Sequence, residues 1–362
     1  MSASPLVTVL LPVWNGASLP LTAEGEEPLR VAIRSLARQE AAPDAPVPGF
    51  EVLAVDDGST DGTAALLDAL AAEYPCLRVL HRPHEGLPGA LNAGLEAARG
   101  ALIARMDADD VCHPQRLALQ AAWMAEHPET GLLATRVHFG GDRETARGFA
   151  HFVDWQNGLL DHEAISRNRF RDTPVSHPSV MFRRELPRLH GGYADGFFAE
   201  DWELWLRWLH AGVRMAKLPQ ELLVWNDPPR RATRSDSRYC EAANNQLRAL
   251  WLARWLERHN PWHPRVYLRA RARWRAAVWL PCGKKACRWP LSWTSIPRRS
   301  GRRCAACRSS AGTDCPGRDA VSCSTPSPPT APTRMPPAGW LPPAMMRSSG
   351  CWSERSRIVR EA

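Results

Sequence analysis

An apolar run passes directly into three carboxylates in Ala101-Leu102-Ile103-Ala104-Arg105-Met106-Asp107-Ala108-Asp109-Asp110. The apolar part predicts a buried strand over residues 102–106. Side chains two residues apart on extended chain point to the same face, so Asp107 and Asp109 lie on one side. Such a pair at the carboxyl end of a strand can bind a hard divalent cation, which prefers oxygen ligands and bridges to phosphates.

A second acidic strand end, with Asp56 and Asp57 after the apolar residues 52–55, lies about fifty residues earlier. Strands and helices alternate around both. We predict strands at 7–13, 51–55, 77–81 and 102–106, and helices at 27–38, 63–74, 89–99 and from Pro114 to Glu126. This alternation predicts an α/β fold with a doubly wound, mostly parallel sheet. Ligands bind beyond the carboxyl ends of such strands, where both acidic sites fall.

After Gly131 the pattern becomes less regular. We predict strands at 132–139, 179–182, 213–218 and 221–225, a short helix at 201–209, and long helices near 238–258 and 264–279. The tryptophans at 202, 205 and 208 recur every three residues. This spacing predicts a buried helix face rather than a sugar-binding surface.

The basic charge of the chain is concentrated near its carboxyl end. The formal charge is +8, but residues 283–362 hold 14 Lys and Arg against 4 Asp and Glu. The other 282 residues hold 32 basic and 34 acidic side chains. The body therefore has no need of a polyanionic partner, and we predict no nucleic acid binding.

Three features favour a cytoplasmic location. No apolar stretch approaches the roughly 20 residues that span a bilayer. Residues 1–5 lack the basic and then apolar sequence of a secretory signal. Cys76, Cys112 and Cys240 are scattered through the body, as expected of reduced thiols.

From about residue 283 the sequence is aperiodic and rich in Pro, Ser, Arg and Cys. This composition predicts a disordered tail. The abrupt change near residue 280, with Arg far in excess of Lys, also fits a GC-rich gene read in a shifted frame. A zinc site at Cys304, Cys307, Cys315 and Cys323 is the third interpretation, although only the first pair has a common ligand spacing.

Five ordered motifs resemble those of family 2 glycosyltransferases with the GT-A fold. They are VLLPVWN (residues 9–15), VDDGSTD (55–61), GLPGALNAG (86–94), ARMDADD (104–110) and AEDWELWLR (199–207). The resemblance covers roughly residues 5–240. The sequence departs from the common pattern at Trp14, where Tyr is frequent, and by extra residues at 19–26 and 41–48. Neither departure touches the acidic sites.

The resemblance implies the following organisation. A GT-A domain spans residues 1–262, with a nucleotide-binding half at about 1–130 and an acceptor half at about 131–240. An acceptor-side extension and C-terminal helices surround the central sheet. A C-terminal helix at 263–282 and the tail at 283–362 complete the chain.

The resemblance also implies an activity. It predicts an inverting, metal-dependent glycosyltransferase that uses Mg²⁺ or Mn²⁺. The donor is a nucleotide-diphosphate sugar, with a UDP-sugar favoured, and the acceptor a saccharide or lipid-linked saccharide in surface polysaccharide synthesis. Such an acceptor implies a cytoplasmic enzyme with peripheral contact at the inner membrane face.

Residue roles follow from the motif positions. By resemblance, Pro12, Trp14 and Asp57 line the nucleotide pocket, where a carboxylate accepts from a ring N–H of a pyrimidine such as uracil. Asp107 contacts the ribose or the metal, and Asp109 ligates the metal. Asp201 is the general base that deprotonates the acceptor hydroxyl. Further donor or acceptor contacts are predicted for Asp56, Asn92, Arg105, His177, Glu200 and Arg234.

Each role has a structural alternative. The sequence after Asp57 is typical of a turn, and the acidic cluster, in which we assign Asp110 to a turn, is typical of a loop before a helix. Asp201 has the position of a helix N-cap. His177 is equally typical of a satisfied structural histidine. The arginines near Arg234 are equally typical of a solvated basic loop.

Two other functions stay open from the sequence. A sugar-1-phosphate nucleotidyltransferase shares the α/β core and metal-bound phosphates. It requires a Gly-rich basic loop after the first strand, where this chain has Val13-Trp14-Asn15-Gly16. The other alternative is a non-catalytic binding protein with a basic tail.

Overall fold

The computed structural model describes residues 5–228, 231, 234 and 236–265. Its strands are β1 (Val7–Val13), β2 (Phe50–Asp57), β3 (Leu77–Arg82), β4 (Leu102–Arg105), β5 (Val111–Cys112), β6 (Thr130–Phe139), β7 (Met181–Arg183) and β8 (Arg214–Trp225). Its longer helices are α1 (Pro28–Ala37), α2 (Thr63–Glu73), α3 (Gly86–Ala97), α4 (Arg116–Glu126), α5 (Arg147–Asn157), α6 (His162–Asn168), α7 (Glu185–His190), α8 (Glu200–His210) and α9 (Glu241–His259). Residues 266–362, and with them most of the predicted last helix and the whole tail, lie outside the described residues.

The strands form one eight-stranded sheet in the order β3-β2-β1-β4-β7-β6-β8-β5. Strands β1 to β4 pair in parallel, as do β6 and β8, while β7 and β5 run antiparallel to their neighbours. The predicted α/β architecture with a mostly parallel sheet is confirmed. In the register, Val9 lies between Val52 and Ala104, so the acidic ends of β2 and β4 flank the end of β1.

Side chains of the central strands alternate between two layers of helices, as the period of a strand requires. Val9 and Leu11 pack in the core cluster that contains residues of α1 and α2. Leu10 packs in the cluster that contains residues of α3 and α8, including Trp205 and Trp208. Each fully buried apolar side chain contributes roughly 1.5–3 kcal/mol to folding. All three tryptophans of α8 are buried, as predicted.

One glycine lets a helix approach the sheet closely. A Cβ on Gly94 of α3 would lie 2.1 Å from Leu10 Cδ1 and 3.1 Å from Val55 Cγ2. The helix that begins beside the acidic end of β2 is therefore pressed directly onto β1 and β2.

Several boundaries differ from the predicted ones. Helix α3 begins at Gly86 instead of residue 89, because a carboxylate from β2 accepts its first backbone N–H groups. The two strands predicted at 213–218 and 221–225 are one strand, β8, with an irregular register against β6. Ser179 lies in a 3₁₀ turn, which shortens β7. In the described part of the chain, none of the helices combines the length and apolarity needed to cross a bilayer.

Candidate active site

The site lies where β1, β2 and β4 end. Asp57 closes β2, and Asp107 follows β4 after Met106. Because β1 pairs with both strands, these carboxylates flank it at the edge where parallel sheets bind ligands. The structure therefore brings together the two acidic motifs that the sequence separates by about fifty residues.

Asp57 is held by the backbone of the next crossover. Its Oδ1 accepts from the Glu85 N–H and its Oδ2 from the Gly86 N–H, each at 2.9 Å. The side chain of Asp57 is 3 % exposed. A carboxylate that accepts N–H groups from a helix start satisfies donors that the helix cannot pair itself. Asp57 thus fixes the entry of α3 beside the predicted nucleotide pocket.

Asp56 and Asn92, both predicted as substrate contacts, use their polar atoms inside the protein. Asp56 accepts from the Ser59 N–H at 3.1 Å and contacts His81 Nδ1 at 2.9 Å. Burial raises its pKa, but these hydrogen bonds outweigh that effect and hold the pKa of Asp56 below its usual value. Asn92 exchanges two hydrogen bonds with the backbone of Tyr193. Their contacts with a substrate stay predictions.

An aromatic surface lies beside Asp57. Trp14 follows β1 and is 57 % exposed, unusual for a large apolar side chain. Its ring stacks on His84 with a centroid distance of 4.9 Å. His84 Nδ1 lies 2.9 Å from the Asp57 backbone oxygen. Pro12, also predicted here, is buried in β1. The stacked rings offer a flat surface that a planar base can cover.

The acidic cluster comprises Asp107, Asp109 and Asp110. One oxygen from each carboxylate lies within 4.8 Å of the others. Burial, and then the charge of Asp107, raises the pKa of Asp109 to about 6. Burial, and then the charges of Asp109 and Asp107, raises the pKa of Asp110 well above its usual value. The positive charge of Arg231 lowers both pKa values, but they stay raised, so the three carboxylates repel one another more than this arginine compensates.

These residues fit a divalent cation. Asp110 is buried, its Oδ1 accepts from the Asn226 N–H, and its Oδ2 has no hydrogen-bond partner. The donor set consists of carboxylate oxygens, the ligands that Mg²⁺ and Mn²⁺ prefer. The sequence analysis assigned Asp110 to a turn, and its N–H does donate to the Asp107 carbonyl at 3.3 Å. The structure also places its carboxylate inside the cluster, which the sequence analysis did not predict.

Arg105 links the acidic cluster to a second pair of carboxylates. Its side chain is 2 % exposed, and Nη2 lies 2.5 Å from Asp107 Oδ1. Its Nε and Nη1 have no hydrogen-bond partner. Its charge also lowers the pKa values of Glu200 and Asp201. The charge of Arg105 thus acts on both acidic sets.

Glu200 and Asp201 form the first turn of α8. The N-cap is Ala199, and its side chain makes no capping bond. The alternative that Asp201 is the N-cap is therefore wrong. Burial, and then the charge of Glu200, raises the pKa of Asp201 to about 7. Burial also raises the pKa of Glu200. A carboxylate with a pKa near neutrality is a stronger base than an ordinary one, and about half of it is ionised at pH 7.

His177 lies in the same buried polar group. Its Nε2 is 2.8 Å from the hydroxyl of Tyr193, and its Nδ1 is 4.0 Å from Glu200 Oε1. Burial, and then the charge of Arg105, lowers the pKa of His177 well below its usual value. The neutral ring is therefore a satisfied partner of Tyr193, and its predicted contact with a substrate stays a prediction.

Of the arginines that follow β8, two lie at Asp227. The Arg231 guanidinium lies over the rings of Phe149 and Trp225, with distances of 4.2 and 4.3 Å to the centroids. Its charge lowers the pKa values of Asp109 and Asp110. Arg234 instead pairs with Asp227 Oδ2 at 2.6 Å and is exposed. Of these two, Arg231, and not the predicted Arg234, is therefore the arginine whose charge acts on the carboxylates of the acidic cluster.

Sequence reasoning missed several residues of the site. Asn226 donates its backbone N–H to Asp110 and its side-chain N–H to the Asp109 carbonyl at 2.6 Å. Tyr239 donates its hydroxyl to Glu200 Oε2 at 2.7 Å. Each lies far along the chain from its partner, and no local pattern marks it.

The sequence model of the family described as "Glycosyl transferase family 2" matches residues 8–187. The amylovoran biosynthesis glycosyltransferase AmsE of Erwinia amylovora is 29 % identical over 224 residues, which cover 60 % of this chain and 75 % of the relative. A relative from Escherichia coli is named UDP-Gal:alpha-D-GlcNAc-diphosphoundecaprenol beta-1,3-galactosyltransferase. It is 27 % identical over 197 residues, covering 54 % of this chain and 67 % of the relative.

Solved structures agree on the fold. Staphylococcus aureus TarS 1-349 in complex with UDP-GlcNAc superposes with a TM-score of 0.50 at 18 % identity, covering 69 % of this chain and 72 % of that one. The mannosyltransferase PcManGT from Pyrobaculum calidifontis, in complex with GDP-Man and Mn²⁺, gives 0.50 at 21 % identity, covering 71 % and 65 %. The architecture is the GT-A fold, and this chain belongs to glycosyltransferase family 2 through residues 8–187.

Proposed function

We propose that this family 2 glycosyltransferase transfers a sugar from a nucleotide-diphosphate donor to a saccharide or lipid-linked saccharide in surface polysaccharide synthesis. The names of two relatives support this: one acts in amylovoran biosynthesis, and the other uses UDP-Gal and a GlcNAc-diphosphoundecaprenol acceptor. Its donor is a UDP-sugar, since Asp57 Oδ1 accepts one backbone N–H and keeps a second lone pair for a ring N–H of uracil. The comparisons do not favour a nucleotidyltransferase or a non-catalytic binding protein.

The observation that carries the proposal is the arrangement around Arg105. Arg105 pairs with Asp107 of the acidic cluster, whose buried Asp110 has an oxygen without a partner. The charge of Arg105 also acts on Asp201, whose pKa is raised to about 7. A transfer from a nucleotide-sugar needs both parts, because negative charge develops on the departing diphosphate while a proton leaves the acceptor.

We assign the donor to the ends of β1, β2 and β4. The base covers the exposed Trp14 ring beside Pro12 and Asp57, and the ribose lies at Asp107. Asp109, with Asp107, would hold Mg²⁺ or Mn²⁺. A cation there supplies charge neutralisation for the leaving diphosphate, which is worth several kcal/mol. The nucleotide half is then about residues 1–130.

We assign the acceptor to the half at about residues 131–240. Asp201 accepts the proton of the acceptor hydroxyl, whose oxygen bonds to the anomeric carbon. The bond from that carbon to the diphosphate breaks, and its electron pair leaves with the nucleotide. A single displacement of this kind inverts the anomeric configuration. A lipid-linked acceptor places the enzyme in the cytoplasm with peripheral contact at the inner membrane face.

A binding screen tests this function. Purified full-length chain is titrated with UDP- and GDP-sugars in the presence of Mn²⁺, and again with EDTA. We expect one UDP-sugar to bind only with the metal, and to be consumed when saccharide acceptors are added. The variant Asp68→Asn, on the exposed side of α2, serves as the control and binds normally. Metal-independent binding, or no binding of any nucleotide-sugar, contradicts the proposal.

A further inference from the structure

The pair Glu200–Asp201 is completed by a residue that lies 39 positions after Glu200 in the chain. Tyr239 lies in the 3₁₀ turn Ser237–Tyr239, just before α9. Its hydroxyl donates to Glu200 Oε2 at 2.7 Å. Glu200 is 3 % exposed, so this phenol supplies a hydrogen-bond donor that a buried carboxylate needs.

The position of Tyr239 is fixed by packing. Its ring lies against the core cluster of Ala199, Trp202, Leu206, Leu247 and Trp251, which joins α8 to α9. Burial, and then the charge of Glu200, raises the pKa of Tyr239, so its hydroxyl stays protonated and remains a donor. The turn that carries it is held in turn by Asp236, which accepts from the Arg238 backbone and side chain.

We propose that Tyr239 is a positioning residue for glycosyl transfer, acting through Glu200 on the Asp201 carboxylate. This inference rests on the proposed function, in which Asp201 is the base. Tyr239 reaches no reacting atom itself. Tyr239 acts on Glu200 through one hydrogen bond, and the charge of Glu200 then acts on the neighbouring Asp201.

The electrostatic reason is a competition between neighbouring carboxylates. A donor to the ionised form of Glu200 favours that form. The charge of ionised Glu200 in turn raises the pKa of Asp201. Without the phenol, Glu200 takes up a proton more readily, and the pKa of Asp201 falls. Asp201 then becomes a weaker base.

Other groups also act on this pair. The positive charges of Arg105 and Arg238 lower the pKa of Glu200, and the charge of Asp172 raises that of Asp201. The remaining polar neighbours that face the pair are neutral His177, with Nδ1 at 4.0 Å from Glu200 Oε1, and Tyr193. Of the described residues, Tyr239 is the one whose side chain makes a short hydrogen bond to Glu200.

The test compares Tyr239→Phe in two backgrounds. In the full-length chain we expect the single-turnover rate of transfer to fall about tenfold, typical for a lost hydrogen bond to a charged group. The donor Kd stays unchanged, and the acid limb of the pH–rate profile moves to lower pH. In the Glu200→Gln background, Tyr239→Phe has no further effect on the single-turnover rate or on the acid limb of the pH–rate profile.

Tyr74→Phe is the matched control, since it removes a hydroxyl at the end of α2, which packs in a different core cluster from α8, and it behaves as wild type. An equal loss from Tyr239→Phe in both backgrounds overturns the inference, as does a wild-type rate and limb in the single variant. Wild-type activity with an unaffected Tyr239→Phe leaves the proposed function intact. Absence of transfer in both wild type and Tyr74→Phe overturns the proposed function and this inference together.

Discussion

The carboxylates that end β2 and Glu200 at the start of α8 are buried, and Asp201 is half-buried, yet their surroundings differ. Asp57 accepts two backbone N–H groups, and hydrogen bonds hold the pKa of Asp56 below its usual value. Asp201 accepts only the N–H of Trp202 among the described residues, and its pKa is raised to about 7. Many donors fix a carboxylate as an anion, whereas few donors leave it basic. The first kind suits binding and the second suits proton transfer.

The largest effect is expected at the acidic cluster, because both donor binding and transfer depend on the proposed metal there. Asp109→Ala removes a carboxylate of the cluster, so the rate of transfer falls about 10⁴-fold, which corresponds to several kcal/mol. Metal-dependent binding of the nucleotide-sugar is lost as well, as calorimetric titration with Mn²⁺ would measure. Asp142→Ala, on an exposed loop, is the control. Near-normal turnover of Asp109→Ala removes the metal assignment.

Asp201→Asn separates the two regions. We expect the rate of transfer to fall about 10³-fold, because a general base contributes roughly 10²–10⁴-fold. The affinity for the nucleotide-sugar, measured by the same titration, stays unchanged because the β2 carboxylates are intact. A variant that loses binding together with turnover would show that the helix start serves the donor too.

The pH dependence of the transfer rate measures the pKa of Asp201, which is raised above that of an ordinary carboxylate. The base must be ionised, and its pKa is about 7, so the rate rises with pH and levels off above that value. At pH 6 we expect roughly a tenfold lower kcat/KM than on the plateau, measured at saturating metal. An acid limb near pH 4 would mean that the base is an ordinary carboxylate.

The smallest effect is expected on stability at the end of β2. Asp57→Ala leaves the first N–H groups of α3 without their acceptor, and should lower the free energy of unfolding by about 1–2 kcal/mol. Urea denaturation measures this difference. Asp68→Ala, whose side chain is 67 % exposed, provides the comparison and should change stability little. Equal stability of the two variants would deny Asp57 its role at the helix start.

Much of the fold was predictable from the sequence because periodicity reports burial. The strands at β1 to β4 and the helices between them follow directly from apolar runs and spacings. The start of α3 was not predictable, since its N-terminal N–H groups are satisfied by Asp57, almost thirty residues earlier. Nor was the single strand β8, whose irregular register against β6 is a property of the pairing.

The candidate site divides in the same way. Asp57, Asp107, Asp109 and Asp201 were named from motifs at the ends of elements. Asp110 was left out, because the Asn226 N–H that its carboxylate accepts comes from a residue 116 positions away. Asp56 and Asn92 were predicted to contact the substrate. No sequence signal marked the internal partners, His81 and Tyr193, with which their side chains bond.

The order of strands, helices and acidic motifs was determined by the sequence alone, since each depends on near neighbours in the chain. Only the tertiary structure decided which carboxylates are fixed anions and which are basic. A pKa depends on burial, charge and hydrogen bonds within a few ångströms. At Asp56 and Glu200 those neighbours include residues from elsewhere in the sequence, His81 in one case and Tyr239 in the other.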